Sequence, residues 1–83
     1  MIVSFGHAKG VPSGVDKVFD VQGLTHATSS PEFKAKSDEI TDYARNNPHQ
    51  RIAIGCKLGR HRAKALADIV SKSLHRSVYH RDS

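Results

Sequence analysis

The run Arg51-Ile52-Ala53-Ile54-Gly55-Cys56-Lys57-Leu58-Gly59-Arg60-His61-Arg62 does most to narrow what this chain can fold into. It reads as a short apolar strand, then a loop carrying Gly, Lys and Arg, then the start of a helix. Such a unit fits a layered α/β architecture. Its chemistry follows from its shape. The end of the strand and the N-terminus of the helix leave backbone N–H groups unbonded, and with nearby cations these form a place for phosphate or another anion. Lys57, Arg60, His61 and Arg62 all fall within six positions.

The flanking sequence supplies the other elements. Met1 to Phe5 reads as a first strand stopped by Gly6. Lys17 to Gln22 reads as a second, with Val18, Asp20 and Gln22 on one face. Gly10, Pro12 and Gly14 mark turns in the connection between them, which is short for a parallel crossover. A helical turn or a hairpin both fit it. Gly23 to Ser30 is a polar loop. Ser29-Ser30-Pro31-Glu32 then opens a helix, because serine caps N–H groups, proline suits the first turn and glutamate favours the positive end. Phe33, Ile40, Tyr43 and Ala44 give that helix an apolar stripe, and Asn46-Asn47-Pro48 ends it. Arg51 to Cys56 is the third strand. Arg62 to about Leu74 is the second helix, with Leu66, Ile69, Val70 and Leu74 inward, and Ser77 to Arg81 is a last strand. The expected fold is α/β: a mostly parallel four-stranded sheet with two main helices, in the order β-β-α-β-α-β, as one domain over residues 1–83.

Eighty-three residues hold a small core, so self-association into a homo-oligomer is a natural aid to stability. One cysteine excludes an internal disulfide framework and fits a reducing compartment. The N-terminus carries no signal-peptide pattern, and no stretch approaches the roughly 20 apolar residues that span a membrane. The expectation is a soluble, cytoplasmic protein. A formal charge of +5 makes polyanions plausible partners. The chain has no Walker-type Gly-x4-Gly-Lys-Ser/Thr, no zinc cysteine pairs and no dinucleotide Gly-x-Gly-x-x-Gly, so neither a metal nor a cofactor is expected.

Arg60, Arg62 and Lys64 crowd the positive end of the second helix, where cations are unfavourable by tenths of a kcal/mol to about 1 kcal/mol each. A bound anion reverses the sign of that effect. If the strands are parallel, their carboxyl ends form the ligand edge. His7, Lys9, His26, His61 and Arg81 then gather with Asp20 around the Cys56 to Arg62 loop. Singly, each lone His or Lys fits a solvated surface position. Cys56 and Arg62 also stand in the Cys-x5-Arg relation of thiolate phosphatases, but Gly55 and Ala63 replace the His before the cysteine and the Ser or Thr after the arginine. Cys56 as packing residue, as low-pKa anion contact and as nucleophile are three readings of one side chain.

Several segments together carry a family likeness: Ser4-Phe5-Gly6, Gly10-Val11-Pro12, Val18-Phe19-Asp20-Val21, Ala53-Ile54-Gly55-Cys56, Gly59-x-His61-Arg62 and His80-Arg81-Asp82. In this order they resemble the C-terminal domain of the RapZ family, the RNase adapter proteins, over nearly the whole chain. Members of that family also carry an N-terminal P-loop domain. The resemblance implies a fold related to a phosphofructokinase subdomain and a pocket for a phosphosugar, glucosamine-6-phosphate in characterised members. It also implies small-RNA binding, contact with an endoribonuclease and self-association. By position, Asp20 and the loop Cys56, Lys57, Leu58, Gly59, Arg60, His61 and Arg62 would line the pocket, with His26 in place of the family's loop histidine. The family loop typically reads Cys-Thr-Gly-Gly-x-His-Arg-Ser. Lys57, Leu58 and Ala63 depart from it, removing two hydroxyl donors and adding a charge.

Three functions follow. The first is a non-enzymatic module in a regulatory or adapter role, holding a phosphorylated small molecule, inorganic phosphate or sulfate, or an RNA phosphate. Lys57, Arg60, Lys64, Arg76 and Arg81 would then meet the RNA backbone. The second is a phosphatase with Cys56 as nucleophile, Arg62 holding phosphate and Asp20 as acid. The third is an interaction protein that mimics the adapter domain.

Overall fold

In a computed structural model, which describes residues 1–23, 30–59 and 61–82, the chain forms four strands and two α-helices. They are β1 (Ile2–Gly6), β2 (Lys17–Asp20), α1 (Pro31–Asn46), β3 (Ile52–Cys56), α2 (Arg62–Leu74) and β4 (Val78–His80), with one 3-10 turn at His7–Lys9 after β1. The sheet runs β2-β3-β1-β4 and every neighbouring pair is parallel. This is the expected α/β arrangement, with all of the sheet parallel rather than most of it. The connection after β1 contains the helical turn; parallel pairing excludes the hairpin.

The order of the strands decides where the layers go. Parallel connections cross right-handed. β2-α1-β3 and β3-α2-β4 step the same way across the sheet, so both helices lie on one face. The step from β1 back to β2 runs the opposite way and belongs on the other face. It has only ten residues, 7 to 16, too few for a full crossover helix, so a loop covers that face in part. Val18, Tyr79 and Met1 stay exposed there, and an open cleft of about 570 Å³ is bounded by Met1, Val3, Pro12, Val15, Arg51 and Tyr79.

The helical face holds the core: Ile2, Phe19, Val21, Ile52, Ile54 and Cys56 from the strand side, with Phe33, Ile40 and Ala44 from α1 and Ala63, Leu66, Ala67 and Val70 from α2. Each large side chain buried there contributes about 1.5–3 kcal/mol. α1 forms where its local signals place it. Ser30 Oγ accepts the Phe33 N–H at 3.2 Å, Pro31 begins the first turn, and Phe33, Ser37, Ile40 and Ala44 recur on one stripe.

Some boundaries and facings differ from expectation. β1 continues through Gly6, which pairs with Cys56. β2 ends at Asp20, two residues early, because the Asp20 carboxylate accepts the Gln22 N–H at 2.9 Å and turns the chain. Ile69, expected inward, is 39% exposed, while Ala63 and Ala67 complete the stripe with Leu66 and Val70. Its position, 100° around the helix from Val70, takes it off that stripe. β3 and β4 are each shorter than expected, lacking Arg51 in one case and Ser77 and Arg81 in the other. Among the described residues no helix is long and apolar enough to cross a membrane.

Candidate functional site

Because all four strands run the same way, Gly6, Asp20, Cys56 and His80 end at one edge of the sheet. There the chain after β3 folds back over the end of β1. Two glycines make this possible. A side-chain carbon on Gly6 would stand 2.5 Å from the Leu58 carbonyl carbon, and one on Gly59 would stand 2.6 Å from the Gly6 nitrogen. Gly59 also has φ +75°, in the left-handed region. The Ala8 N–H donates to Lys57 O at 3.1 Å and ties the other flank of the loop.

Cys56 lies beneath this loop, 3% exposed. Gly59 N–H donates to its Sγ at 3.1 Å. Burial pushes the thiol pKa up, but the backbone N–H groups of Ala63, Gly59, His61 and Leu58 together hold it below the ordinary thiol value. The sulfur therefore lies near the start of α2, a helix with no acidic residue in its first turn, where backbone N–H groups favour negative charge. A thiolate in this place is a small built-in anion. Titrating Cys56 by the ultraviolet absorbance of the thiolate should give a midpoint below that of the unfolded chain. The linked stability is present above the unfolded thiol pKa and is lost as pH falls through the folded one.

The other candidate residues divide into groups. His7 and Asp20 are brought together, with His7 Nε2 3.5 Å from Asp20 Oδ1. His7 Nε2 is shielded from solvent and makes no hydrogen bond among the described residues. Asp20 is held below the usual carboxylate range by the Gln22 N–H first, with the Gln22 side chain and His7 adding to it against a smaller effect of burial. Arg62 reaches the same corner, its Nη1 donating to Gln22 O at 2.5 Å. Lys57, Leu58, His61 and Lys9 are exposed around the edge. His26 and Arg60 lie outside the described residues.

Arg76 and Arg81, like Arg62, have partners inside the fold. Arg76 follows α2, at the end away from the loop, and its Nη2 donates to Ala44 O in the last turn of α1. Arg81 pairs with Asp82 at 2.7 Å, donates to Gly10 O at 2.5 Å and lies over the Phe5 ring, 5.6 Å from its centre. Lys64 is exposed in the first turn of α2. Among the described residues no group of three His, Cys, Asp or Glu could hold a metal ion.

Gly55, not a histidine, precedes Cys56, and the structure supplies the steric reason. Phe5 and His7, their rings 4.8 Å apart, lie across β3 at Gly55. A side-chain carbon there would be 2.4 Å from Phe5 Cζ and 2.7 Å from His7 Nε2. An imidazole does stand beside this strand, delivered from the end of β1 instead. Gln22 and Asp82 belong to the site's surroundings and were not among the residues picked from sequence. Asp82 had a signal, since it closes the His-Arg-Asp triplet.

The chain is similar to proteins called "Nucleotide-binding protein". It is 29% identical to that of Desulfovibrio desulfuricans over 94% of its length, 30% identical to that of Clostridium perfringens over 98%, and 31% identical to that of Azotobacter vinelandii over 99%. These matches cover 34%, 39% and 41% of the relatives, so the chain spans between a third and two fifths of their length, in round terms. The matches run over 107, 115 and 116 positions, more than the chain itself has, so the relatives carry extra residues inside the matched stretch. No family model matches.

Proposed function

We propose that this chain is a non-enzymatic anion-binding module of the RapZ C-terminal type, a single domain in which the Cys56 to Arg62 loop takes a phosphosugar or an RNA phosphate in a regulatory or adapter role. One observation carries the reading: the loop folds over the end of β1 at the start of α2, which Arg62 opens, the Gly59 N–H donates to Cys56 Sγ at 3.1 Å, and the N–H groups of Ala63, His61 and Leu58 also favour negative charge on that sulfur. Converging N–H groups at a helix N-terminus and a guanidinium are the donors that a phosphate's oxygens require. The name of the relatives, "Nucleotide-binding protein", agrees with a phosphate-bearing ligand.

Catalysis by Cys56 is the less favoured use of the same residues. The sulfur is covered by the loop, and Asp20, held in its ionised form by Gln22 and His7, is a poor proton donor to a leaving group. RNA, if it is the ligand, would meet Lys57, Lys64 and the loop through its phosphates, with affinity falling steeply as salt rises.

The test is a set of amide-shift titrations with inorganic phosphate, glucosamine-6-phosphate and a small structured RNA, beside a phosphomonoesterase assay of wild type and Cys56→Ser. Shifts centred on residues 56–63 without turnover support the module. Turnover lost in Cys56→Ser would replace it with the phosphatase. Silence toward every anion would leave an interaction protein that occupies the adapter's endoribonuclease partner.

A further inference from the structure

We infer that the His80-Arg81-Asp82 segment is a brace for the Cys56 loop, in which Asp82 is a positioning residue that acts through Gly6. This deepens the anion-binding reading and rests on it. The three side chains grip three different parts of the fold. His80 Nδ1 and Ser4 Oγ lie 2.6 Å apart, and His80 Nε2 is 2.8 Å from Asp68 Oδ1, which links β4 to β1 on one side and to α2 on the other. Arg81 bridges from Asp82 to Gly10 O, at the end of the turn whose Ala8 N–H holds Lys57 O. Asp82 Oδ2 accepts the Gly6 N–H at 2.7 Å.

The last contact has a clear physical origin. The pairing of β4 with β1 ends at His80 opposite Ser4, after which the Arg81 N–H still donates to Ser4 O at 3.0 Å. The next donor along β1, the buried Gly6 N–H, has no ladder carbonyl, and an unpaired buried N–H is costly. The Asp82 carboxylate takes the carbonyl's place. Its side chain is only 7% exposed, and a charge so enclosed needs a counter-charge. Arg81 provides it through Nε and Nη2, at 3.1 Å and 2.7 Å from Asp82 Oδ2. Pairing with Arg81 first, then the Gly6 N–H, keeps the carboxyl below the usual range despite burial.

The brace bears on the anion cradle because the peptide that Asp82 holds is the one on which the loop rests. A carbon added to Gly59 would be 2.6 Å from the Gly6 nitrogen, and Gly59 N–H donates to Cys56 Sγ. A shift of the Gly6 peptide therefore moves Gly59 and changes the donors around the sulfur. The pairing with Arg81 has a second effect: it offsets a negative charge that would otherwise oppose an incoming anion.

The experiment compares Asp82→Ala, Asp82→Asn and Asp82→Glu in the full chain, with Ile40→Val as a core variant of lowered stability remote from the loop. Inorganic phosphate affinity is read from amide shifts, and the Cys56 titration from thiolate absorbance. Asp82→Ala should weaken phosphate binding by about tenfold, the scale of one lost charge-assisted hydrogen bond, and move the thiol midpoint upward. Asp82→Asn keeps an acceptor for Gly6 and should restore most of both. Asp82→Glu displaces the carboxylate by one carbon and should fall between, which keeps the test decisive if the alanine variant does not fold. Ile40→Val should move neither readout. Wild-type phosphate affinity and an unshifted thiol in the Ala or Glu variant would overturn the brace. If wild type binds no phosphate, an upward thiol shift in Asp82→Ala that Asn reverses still supports the brace while the anion-binding reading falls. An unshifted thiol then overturns the brace as well.

Discussion

Gly59→Ala is expected to destabilise the protein by about 2–5 kcal/mol and to abolish anion binding at the loop. Two causes add. A Cβ in the left-handed region costs about 1–2 kcal/mol, and at Gly59 φ is +75°. The same Cβ would stand 2.6 Å from the Gly6 nitrogen and 2.6 Å from the Phe5 carbonyl carbon. These are backbone atoms of a buried strand, unable to move aside as a flexible side chain would, and overpacking of that kind costs about 1–3 kcal/mol. Small domains have total stabilities at the low end of about 5–15 kcal/mol, so this loss is a large part of the whole. Gly6→Ala separates the causes. Its φ is −106°, ordinary for alanine, so only the clash with Leu58, at 2.5 Å, remains, with an expected cost of about 1–3 kcal/mol. The double variant should lose less than the sum, because either substitution already lifts the loop from β1. Urea denaturation of the four proteins measures the cycle. Additive losses would mean that the two glycines do not share one contact, and an undiminished phosphate response in Gly59→Ala would detach the loop's shape from binding.

The same contact explains how far the sequence could be read. α1 was legible almost to the residue because its signals are local: a serine cap, a proline in the first turn and an apolar stripe at helical spacing. The strand-loop-helix unit from Ile52 to Leu74 was legible for the same reason. β2 was read too long because Val18, Asp20 and Gln22 alternate as a strand would. The two-residue hydrogen bond from Gln22 N–H to the Asp20 side chain breaks the run, and the core takes Phe19 and Val21 instead. Which face the helices cover depends on strand order, and that is set by pairings between residues far apart in the chain.

The edge residues show a sharper limit. Asp20 and the Cys56 loop could be assigned to one edge from sequence once parallel strands were assumed, but the proximity of His7 to Asp20 depends on β3 lying between β1 and β2. The role of Gly55 is also non-local, since Phe5 and His7 fill the space a side chain would need. Arg76 and Arg81 illustrate why a tally of cations cannot define a binding surface. A guanidinium with five donors satisfies a helix-end carbonyl or a buried carboxylate as readily as a phosphate. Arg76 meets Ala44 O, and Arg81 meets Asp82 and Gly10 O.

Arg62→Gln should lower anion affinity by roughly 10- to 150-fold, the equivalent of one charge-assisted hydrogen bond of about 1.5–3 kcal/mol, while leaving the stability of the unliganded protein unchanged or slightly raised. The opposite signs are what distinguish a ligand-binding cation from a structural one. Arg62 opens α2 at its positive end, in a first turn without any acidic residue. Neutralising it removes a repulsion of tenths of a kcal/mol up to about 1 kcal/mol. Glutamine can still donate toward Gln22 O, although its shorter reach weakens the bond that Arg62 Nη1 makes at 2.5 Å. Lys64 is exposed in the same turn, so Lys64→Gln should give a similar small gain in stability but a much smaller loss of affinity. Raising the salt concentration should shrink the Lys64 effect faster than the Arg62 effect, because exposed charges are screened more fully than a half-buried one. Phosphate titrations at two ionic strengths, with urea denaturation of each variant, measure both quantities. A parallel fall in stability and affinity for Arg62→Gln would assign the guanidinium to holding β2 against α2, and an unchanged affinity would remove it from the anion site.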